Sequence, residues 1–189
     1  MKGIDENHQK LVYRNGSVNI MALNVDEEFK KSVFETYLSD KLSYCLQCNV
    51  CTENCPVSQV NSEYDPRQLI LESLMGLKSK ILKAGPKALY LCTMCDTCDE
   101  KCPNDIPLTH IFSVLKNHSA KLGITADGIK GQGKTLHDFA TSVPIGDAIA
   151  RRRIGFGLPE KYDLPVEELQ QLMEITGFSA LIKKLNPEG

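Results

Sequence analysis

The 189-residue chain has no tryptophan, and aromatic residues make up only 6% of it. A core with so few large rings is modest, so another source of order is expected at its centre. No stretch approaches the roughly 18 consecutive apolar residues of a membrane-spanning helix. The first ten residues, Met1 to Lys10, are polar and lack the apolar centre of a signal peptide. An excess of basic charge is also missing: 22 Lys and Arg stand against 24 Asp and Glu, for a net charge of −2. Nothing in that balance favours nucleic acid. These absences point to one cytoplasmic domain with extensions, without membrane insertion, in a reducing compartment. Finally, no cysteine lies outside two short stretches.

Those stretches are Cys45-Leu-Gln-Cys48-Asn-Val-Cys51-Thr-Glu-Asn-Cys55-Pro56 and Cys92-Thr-Met-Cys95-Asp-Thr-Cys98-Asp-Glu-Lys-Cys102-Pro103. Each cysteine of the second, and its proline, lies 47 residues after its counterpart in the first. The shared pattern, C-x2-C-x2-C-x3-C-P, is the bacterial ferredoxin spacing for a [4Fe-4S] cubane. Three thiolates two residues apart curl a short loop around one cubane. The fourth is displaced by one residue, and the proline behind it turns the chain away. In two-cluster ferredoxins the fourth cysteine serves the other cluster. The expected sets are therefore Cys45, Cys48, Cys51 and Cys102 on the first, and Cys92, Cys95, Cys98 and Cys55 on the second. Two zinc ions would call for separated C-x2-4-C knuckles, not an unbroken x2 run. Disulfides are disfavoured by crowding within C-x-x-C pairs and by the reducing compartment.

Around the motifs the chain reads as mainly α. Asn15-Gly16 between short β-prone runs is a hairpin signal within residues 11–23. Asp26 is a candidate N-cap for a helix with Phe29, Val33 and Tyr37 on its apolar face, running into the first cysteine loop. Between the motifs, Asp65-Pro66 opens a helix ended by Gly76, a short one covers 77–83, and a third starts at Pro86. After the second motif a helix runs from Ile106-Pro107 to Leu122, stopped by Gly123. A long helical insert between the motifs points to an α-helical ferredoxin with two binding loops, not the strand-built minimal form. Residues 125–158 are glycine-rich, with limited helix expected at 137–141 and 146–153. Amphipathic segments from Pro165 and after Gly177 form a tail expected to dock on a partner, the alternative being that it folds back on the ferredoxin body. The expected organisation is 1–24 as an extension with the hairpin, 25–123 as the ferredoxin domain, and 124–189 as linker and docking tail.

Two motifs mislead. Gly128-Ile-Lys-Gly-Gln-Gly133-Lys134-Thr135 matches the letters of a P-loop but follows a helix and has no α/β domain around it. Arg151-Arg152-Arg153 reads as a solvated or partner-facing patch. Asp96, Asp99 and Glu100 stand beside the second ligand set where Asn49, Thr52 and Glu53 stand beside the first. The extra negative charge is expected to lower the second potential unless backbone hydrogen bonds to sulfur outweigh it.

Eight cysteines are consumed by two clusters, leaving none for a redox disulfide, a nucleophile or a third cluster. With every iron capped by thiolate no substrate position is open, so the chain is expected to pass single electrons between other sites. The doubled motif on a helical insert resembles the α-helical ferredoxins of succinate, glycerol-3-phosphate and glycolate dehydrogenases and of heterodisulfide reductases. The length, the lack of a preceding plant-type domain and the hairpin signal make it most similar to the C-type subunits of soluble methanogen heterodisulfide reductase. That resemblance implies a stable hetero-oligomer. In it, electrons pass from a flavin-containing A-type subunit to a Cys-Cys-Gly B-type subunit that reduces the coenzyme M/coenzyme B heterodisulfide in methanogenesis. Different readings of the same motif are a freely diffusing ferredoxin and the iron-sulfur subunit of a flavin dehydrogenase. The extended ends favour a fixed subunit over a shuttle.

Overall fold

The computed structural model describes residues 25–83 and 89–187, and among these there is no strand. The hairpin expected within 11–23 and the helix start at Pro86 lie outside them. The described residues divide into two compact units: 25–83 with 92–112, and 89–91 with 113–187. The first holds both cysteine loops.

In the first unit, α1 (Glu27–Phe34) begins where Asp26 Oδ1 accepts from the Phe29 N–H at 2.7 Å. Asp26 also receives Lys78 Nζ at 3.1 Å, and its own N–H donates to the Gly76 carbonyl at 2.9 Å. The Phe29 N–H and Lys78 hold the Asp26 carboxyl below the usual carboxylate range. Its contribution to stability is therefore present above its unfolded pKa and lost as pH falls through the depressed folded value. Phe29 and Val33 are the buried residues of α1, and side chains of this size contribute roughly 1.5–3 kcal/mol each when fully buried. The helix does not run into the cysteine loop. Ser32 and Thr36 hydroxyls turn back on the Phe29 and Ser32 carbonyls, Leu38 is left-handed at φ 64°, and a 3-10 turn at Ser39–Tyr44 intervenes. Such back-bonding competes with the helix ladder, and Tyr37 is left exposed.

Loop one contains α2 (Val50–Glu53) and α3 (Pro56–Val60). Next come α4 (Pro66–Leu74), capped by Asp65 Oδ1 on the Gln68 N–H at 3.1 Å, and α5 (Lys78–Lys83). Gly76 joins them at φ +67°. A Cβ there would lie 3.0 Å from the Asp26 carbonyl oxygen and 3.2 Å from Lys30 Cβ, so the turn needs glycine for both conformation and space. Loop two contains α6 (Thr97–Glu100), which packs against α2. Then α7 (Leu108–Lys121) carries Leu108, Ile111 and Phe112 into the buried interior.

The second unit begins inside α7, which ends at Gly123, φ +87°. Tyr90 Oη donates to the Lys116 carbonyl at 3.0 Å, with Lys116 Nζ 5.8 Å from the ring centre. The helix expected at 146–153 is present as α9 (Asp147–Gly155), whereas the stretch before 137, expected to be loose, is helical as well: α8 runs over Asp127–Phe139. Packing overrides glycine propensity here. α8, α10 (Val166–Ile175) and α11 (Phe178–Leu185) pack on one another. A Cβ at Gly133 would approach Ile182 Cδ1 to 2.6 Å, so this glycine admits the buried Ile182 of α11. The tail thus brings a core of its own. The P-loop letters lie within α8, a continuous helix with no phosphate-cradling loop. Of the arginine run, Arg153 Nε donates to the Pro159 carbonyl at 2.8 Å and stacks 4.4 Å over Tyr162. Arg151 and Arg152 are exposed.

Gly76→Ala is expected to lower stability by about 1–3 kcal/mol through its left-handed φ. Gly131→Ala, in open space on α8, is expected to raise it by roughly 0.5–1 kcal/mol. Thermal unfolding of the two variants beside the parent checks the opposite signs.

Candidate metal centres

The structure draws the eight cysteines around two hollows. The first is lined by Cys45, Cys48 and Cys51 together with Cys102, and the second by Cys92, Cys95 and Cys98 together with Cys55. In each, three sulfurs come from one motif and the fourth from the other. None of the eight is in a disulfide. Among the described residues no three His, Cys, Asp or Glu side chains converge on a single-ion site. The sulfurs are spread around a rim.

The two loops repeat each other in backbone as well as in sequence. Gln47 and Asn49 are left-handed at φ 55° and 72°, and Met94 and Asp96, each 47 residues on, at φ 57° and 60°. The bonds of Thr52 and Glu53 N–H to the Asn49 carbonyl recur as Asp99 and Glu100 N–H to that of Asp96. Likewise Cys55 N–H to the Thr52 carbonyl recurs as Cys102 N–H to that of Asp99. A left-handed residue followed by a right-handed one, as at Asn49–Val50 and Asp96–Thr97, makes a nest of N–H groups that suits an anionic sulfide or thiolate group. Each loop then sets its fourth cysteine at the edge of its own turn, free to face the other hollow.

The supporting side chains differ between the copies. In the first, Thr52 Oγ1 donates to Asp65 Oδ1 at 2.7 Å and accepts the Arg67 N–H at 3.0 Å, locking the loop to the cap of α4. At the equivalent place in the second, Asp99 accepts: Oδ1 from the Thr109 N–H at 2.9 Å, Oδ2 from Thr109 Oγ1 at 2.7 Å. Donor and acceptor have exchanged sides, and the second loop carries a carboxylate beside its cysteines. Asn104 Nδ2 donates to the Tyr44 carbonyl, tying the end of loop two to the 3-10 turn before loop one. Gln47 Nε2 donates to Cys45 Sγ at 3.3 Å, and Thr97 Oγ1 lies 3.4 Å from Cys95 Sγ.

The thiols are unequal. Burial pushes the Cys51 thiol up to about 11. It raises Cys98 too, with the Asp99 carboxylate adding to the shift. Cys95 goes the other way, held below the usual thiol range by the Thr97 hydroxyl and N–H. Buried thiols of this kind stay protonated at neutral pH unless a cation takes the place of the proton, so metal uptake releases protons and strengthens as pH rises. Four sulfurs on each rim, inward N–H groups and apolar walls at Ile106, Leu108 and Phe112 fit an iron-sulfur cubane.

Four groups around the hollows escape the sequence pattern. Arg67 lines the first, with its Nε buried and unpartnered. Tyr64 lines the second, 2% exposed, its phenol pushed far up by burial and then by Cys92. Gln47 and Thr109 complete the set. Neither Tyr64 nor Arg67 has a counterpart at 47 residues' distance on the other copy that would draw attention to it; only the turn at 61–65 brings them to the hollows. In that turn Asn61 Oδ1 accepts the Glu63 N–H and the Asn61 carbonyl accepts that of Tyr64.

Anaerobic removal of iron is expected to abolish amide protection at 50–53 and 97–100, while α8, α10 and α11 keep theirs because they pack on one another. Hydrogen exchange read by mass spectrometry checks this. Protection retained in both cysteine loops would mean that the polypeptide holds them unaided.

Residues 41–106 match the family model of the 4Fe-4S dicluster domain. The chain is 34% identical over 165 residues to the C subunit of the H(2):CoB-CoM heterodisulfide,ferredoxin reductase of Methanothermobacter thermautotrophicus, covering 84% of this chain and 87% of that one. It is 30% identical over 177 residues to the iron-sulfur C subunit of the CoB-CoM heterodisulfide reductase of Methanopyrus kandleri, covering 90% and 91%. With the C subunit of the ferredoxin:CoB-CoM heterodisulfide reductase of Methanosarcina mazei the identity is 28% over 143 residues, 72% of this chain and 86% of the other. Among the described residues no helix is long and apolar enough to cross a membrane. Likeness sustained at this level over most of both sequences makes the chain a member of the family of heterodisulfide reductase C subunits.

Proposed function

We propose that this chain is a non-catalytic electron-relay subunit. It passes single electrons through two [4Fe-4S] clusters from a flavin-containing A-type subunit to a Cys-Cys-Gly B-type subunit, where the coenzyme M/coenzyme B heterodisulfide is reduced. Cys45, Cys48, Cys51 and Cys102 hold one cluster, and Cys92, Cys95, Cys98 and Cys55 the other. The observation that carries this reading is that all eight cysteines line the two hollows in these two sets. No thiol is left over to act on a substrate. The names of its relatives, each the C subunit of a reductase, support membership of a larger complex. A cytoplasmic, stable hetero-oligomer accords with thiols that must stay reduced.

When bound, each cluster supplies a one-electron couple. The chain's own part is to hold and bias it. The left-handed residues at 47, 49, 94 and 96 turn N–H groups inward, and Gln47 and Thr97 donate toward sulfur. Cys48 and Cys95 are the exposed ligands, so each cluster has one edge toward solvent where a partner's redox centre can approach. The remaining sulfurs and the apolar walls exclude water from the other sides. Tenfold in equilibrium constant corresponds to about 59 mV for one electron, so modest differences between the two loops set the direction of flow.

Anaerobic affinity purification of the chain from its native cells, with co-purifying proteins identified by mass spectrometry, tests the relay. A flavoprotein recovered together with a Cys-Cys-Gly protein is the expected outcome. A hydroxy-acid or succinate flavoprotein alone would replace the reading by a dehydrogenase subunit, and an unaccompanied brown protein by a diffusible ferredoxin.

A further inference from the structure

We propose that Tyr64 is the hydrogen-bond donor that sets the reduction potential of the second cluster separately from the first; this rests on the ligand sets proposed above. Tyr64 is 2% exposed and lines the second hollow only. Its hydroxyl is buried with no nitrogen or oxygen partner, beside the Cys92 thiol, in a hollow that Cys55, Cys95 and Cys98 also line. A buried hydroxyl left unpaired is costly, and a phenylalanine would fill the same space without that cost. The acceptors within its reach are sulfurs of the hollow itself. Once those sulfurs are thiolates they accept far better than thiols, and a charge-assisted bond of this kind strengthens as negative charge accumulates. The reduced cluster carries one more electron than the oxidised one, so the O–H of Tyr64 stabilises the reduced form more and raises the potential.

The neighbouring residues show why the effect is private to one cluster. Tyr64, Pro66 and Arg67 belong to one short segment, yet Tyr64 and Pro66 line the second hollow and Arg67 the first. Arg67 brings a cation whose buried Nε has no partner of its own, so the first cluster gains its stabilisation from a charge and the second from a neutral donor. On the second, Tyr64 is opposed by Asp99, whose Oδ1 lies 3.4 Å from Cys98 Sγ. The potential there is a balance between one donor and one carboxylate. The segment that starts α4 thus touches both clusters and biases each through a different residue.

The test is a redox titration of the anaerobic full chain followed by electron paramagnetic resonance, on the parent, Tyr64→Phe and Arg67→Gln. Tyr64→Phe is expected to keep its iron and to lower one midpoint so that the reduced-to-oxidised ratio at fixed potential falls about tenfold, near 59 mV for one electron. Arg67→Gln is expected to lower the other. In the parent, electron-nuclear double resonance after exchange into deuterium oxide is expected to show a deuteron coupled to one cluster and missing in Tyr64→Phe. Unchanged midpoints in Tyr64→Phe with both clusters present, or both variants moving the same wave, would overturn the proposal. Were Tyr64→Phe to lose a cluster, the parent's deuteron coupling decides: its absence overturns the role as donor. A parent holding fewer than two four-iron clusters would instead refute the ligand sets, a result readable before any variant is made.

Discussion

Each hollow borrows one sulfur. Cys102 closes the set begun by Cys45, Cys48 and Cys51, and Cys55 closes the set begun by Cys92, Cys95 and Cys98. Everything around the hollows follows from that exchange. The two loops have to lie side by side, which is why α2 packs against α6, and why Asn104 reaches back to the Tyr44 carbonyl. Neither loop completes a donor set alone. The half-buried Cys51 and buried Cys98 thiols, pushed up by desolvation, would gain their compensation from a cation. A domain with no tryptophan and a small apolar interior thereby acquires a centre that side-chain packing would not supply.

Repetition and divergence divide the work. The repeated part is backbone: left-handed residues at Gln47 and Asn49 and again at Met94 and Asp96, with the same N–H to carbonyl bonds behind them. It shapes a concave wall for an anionic group. The divergent part is side chain. Thr52 donates to the carboxylate that caps α4, whereas Asp99 accepts from the start of α7. One fold therefore gives two equal containers with unequal electrostatics, which suits the relay proposed above.

Much of this is legible in the sequence because it is written at fixed spacing or in local stop and start signals. The cysteine spacing, Asp26 and Asp65 as caps, Pro66 at a first helical position, and Gly76 and Gly123 as stops are all decided within a few residues of themselves. What is not legible depends on distant packing. Gly128, Gly131 and Gly133 suggest loop, yet lie in α8, because Gly133 leaves room for Ile182 nearly fifty residues away. Read from its sequence, the tail has little core of its own, because its amphipathic faces meet only when α8 is helical. Periodicity makes α1 longer than it is, since it does not register the left-handed Leu38. Tyr64 and Arg67 stand in no motif, and the turn that aims them at the hollows is fixed by tertiary contacts.

The exchange of fourth ligands is most directly tested by anomalous diffraction at the iron edge from crystals grown without oxygen. Expected are two four-iron peaks, with Cys102 Sγ bonded to the one that Cys45, Cys48 and Cys51 hold, and Cys55 Sγ bonded to the other. Density joining Cys55 to the same iron group as Cys45, Cys48 and Cys51 would contradict it, and the two loops would then be independent sites that happen to be neighbours.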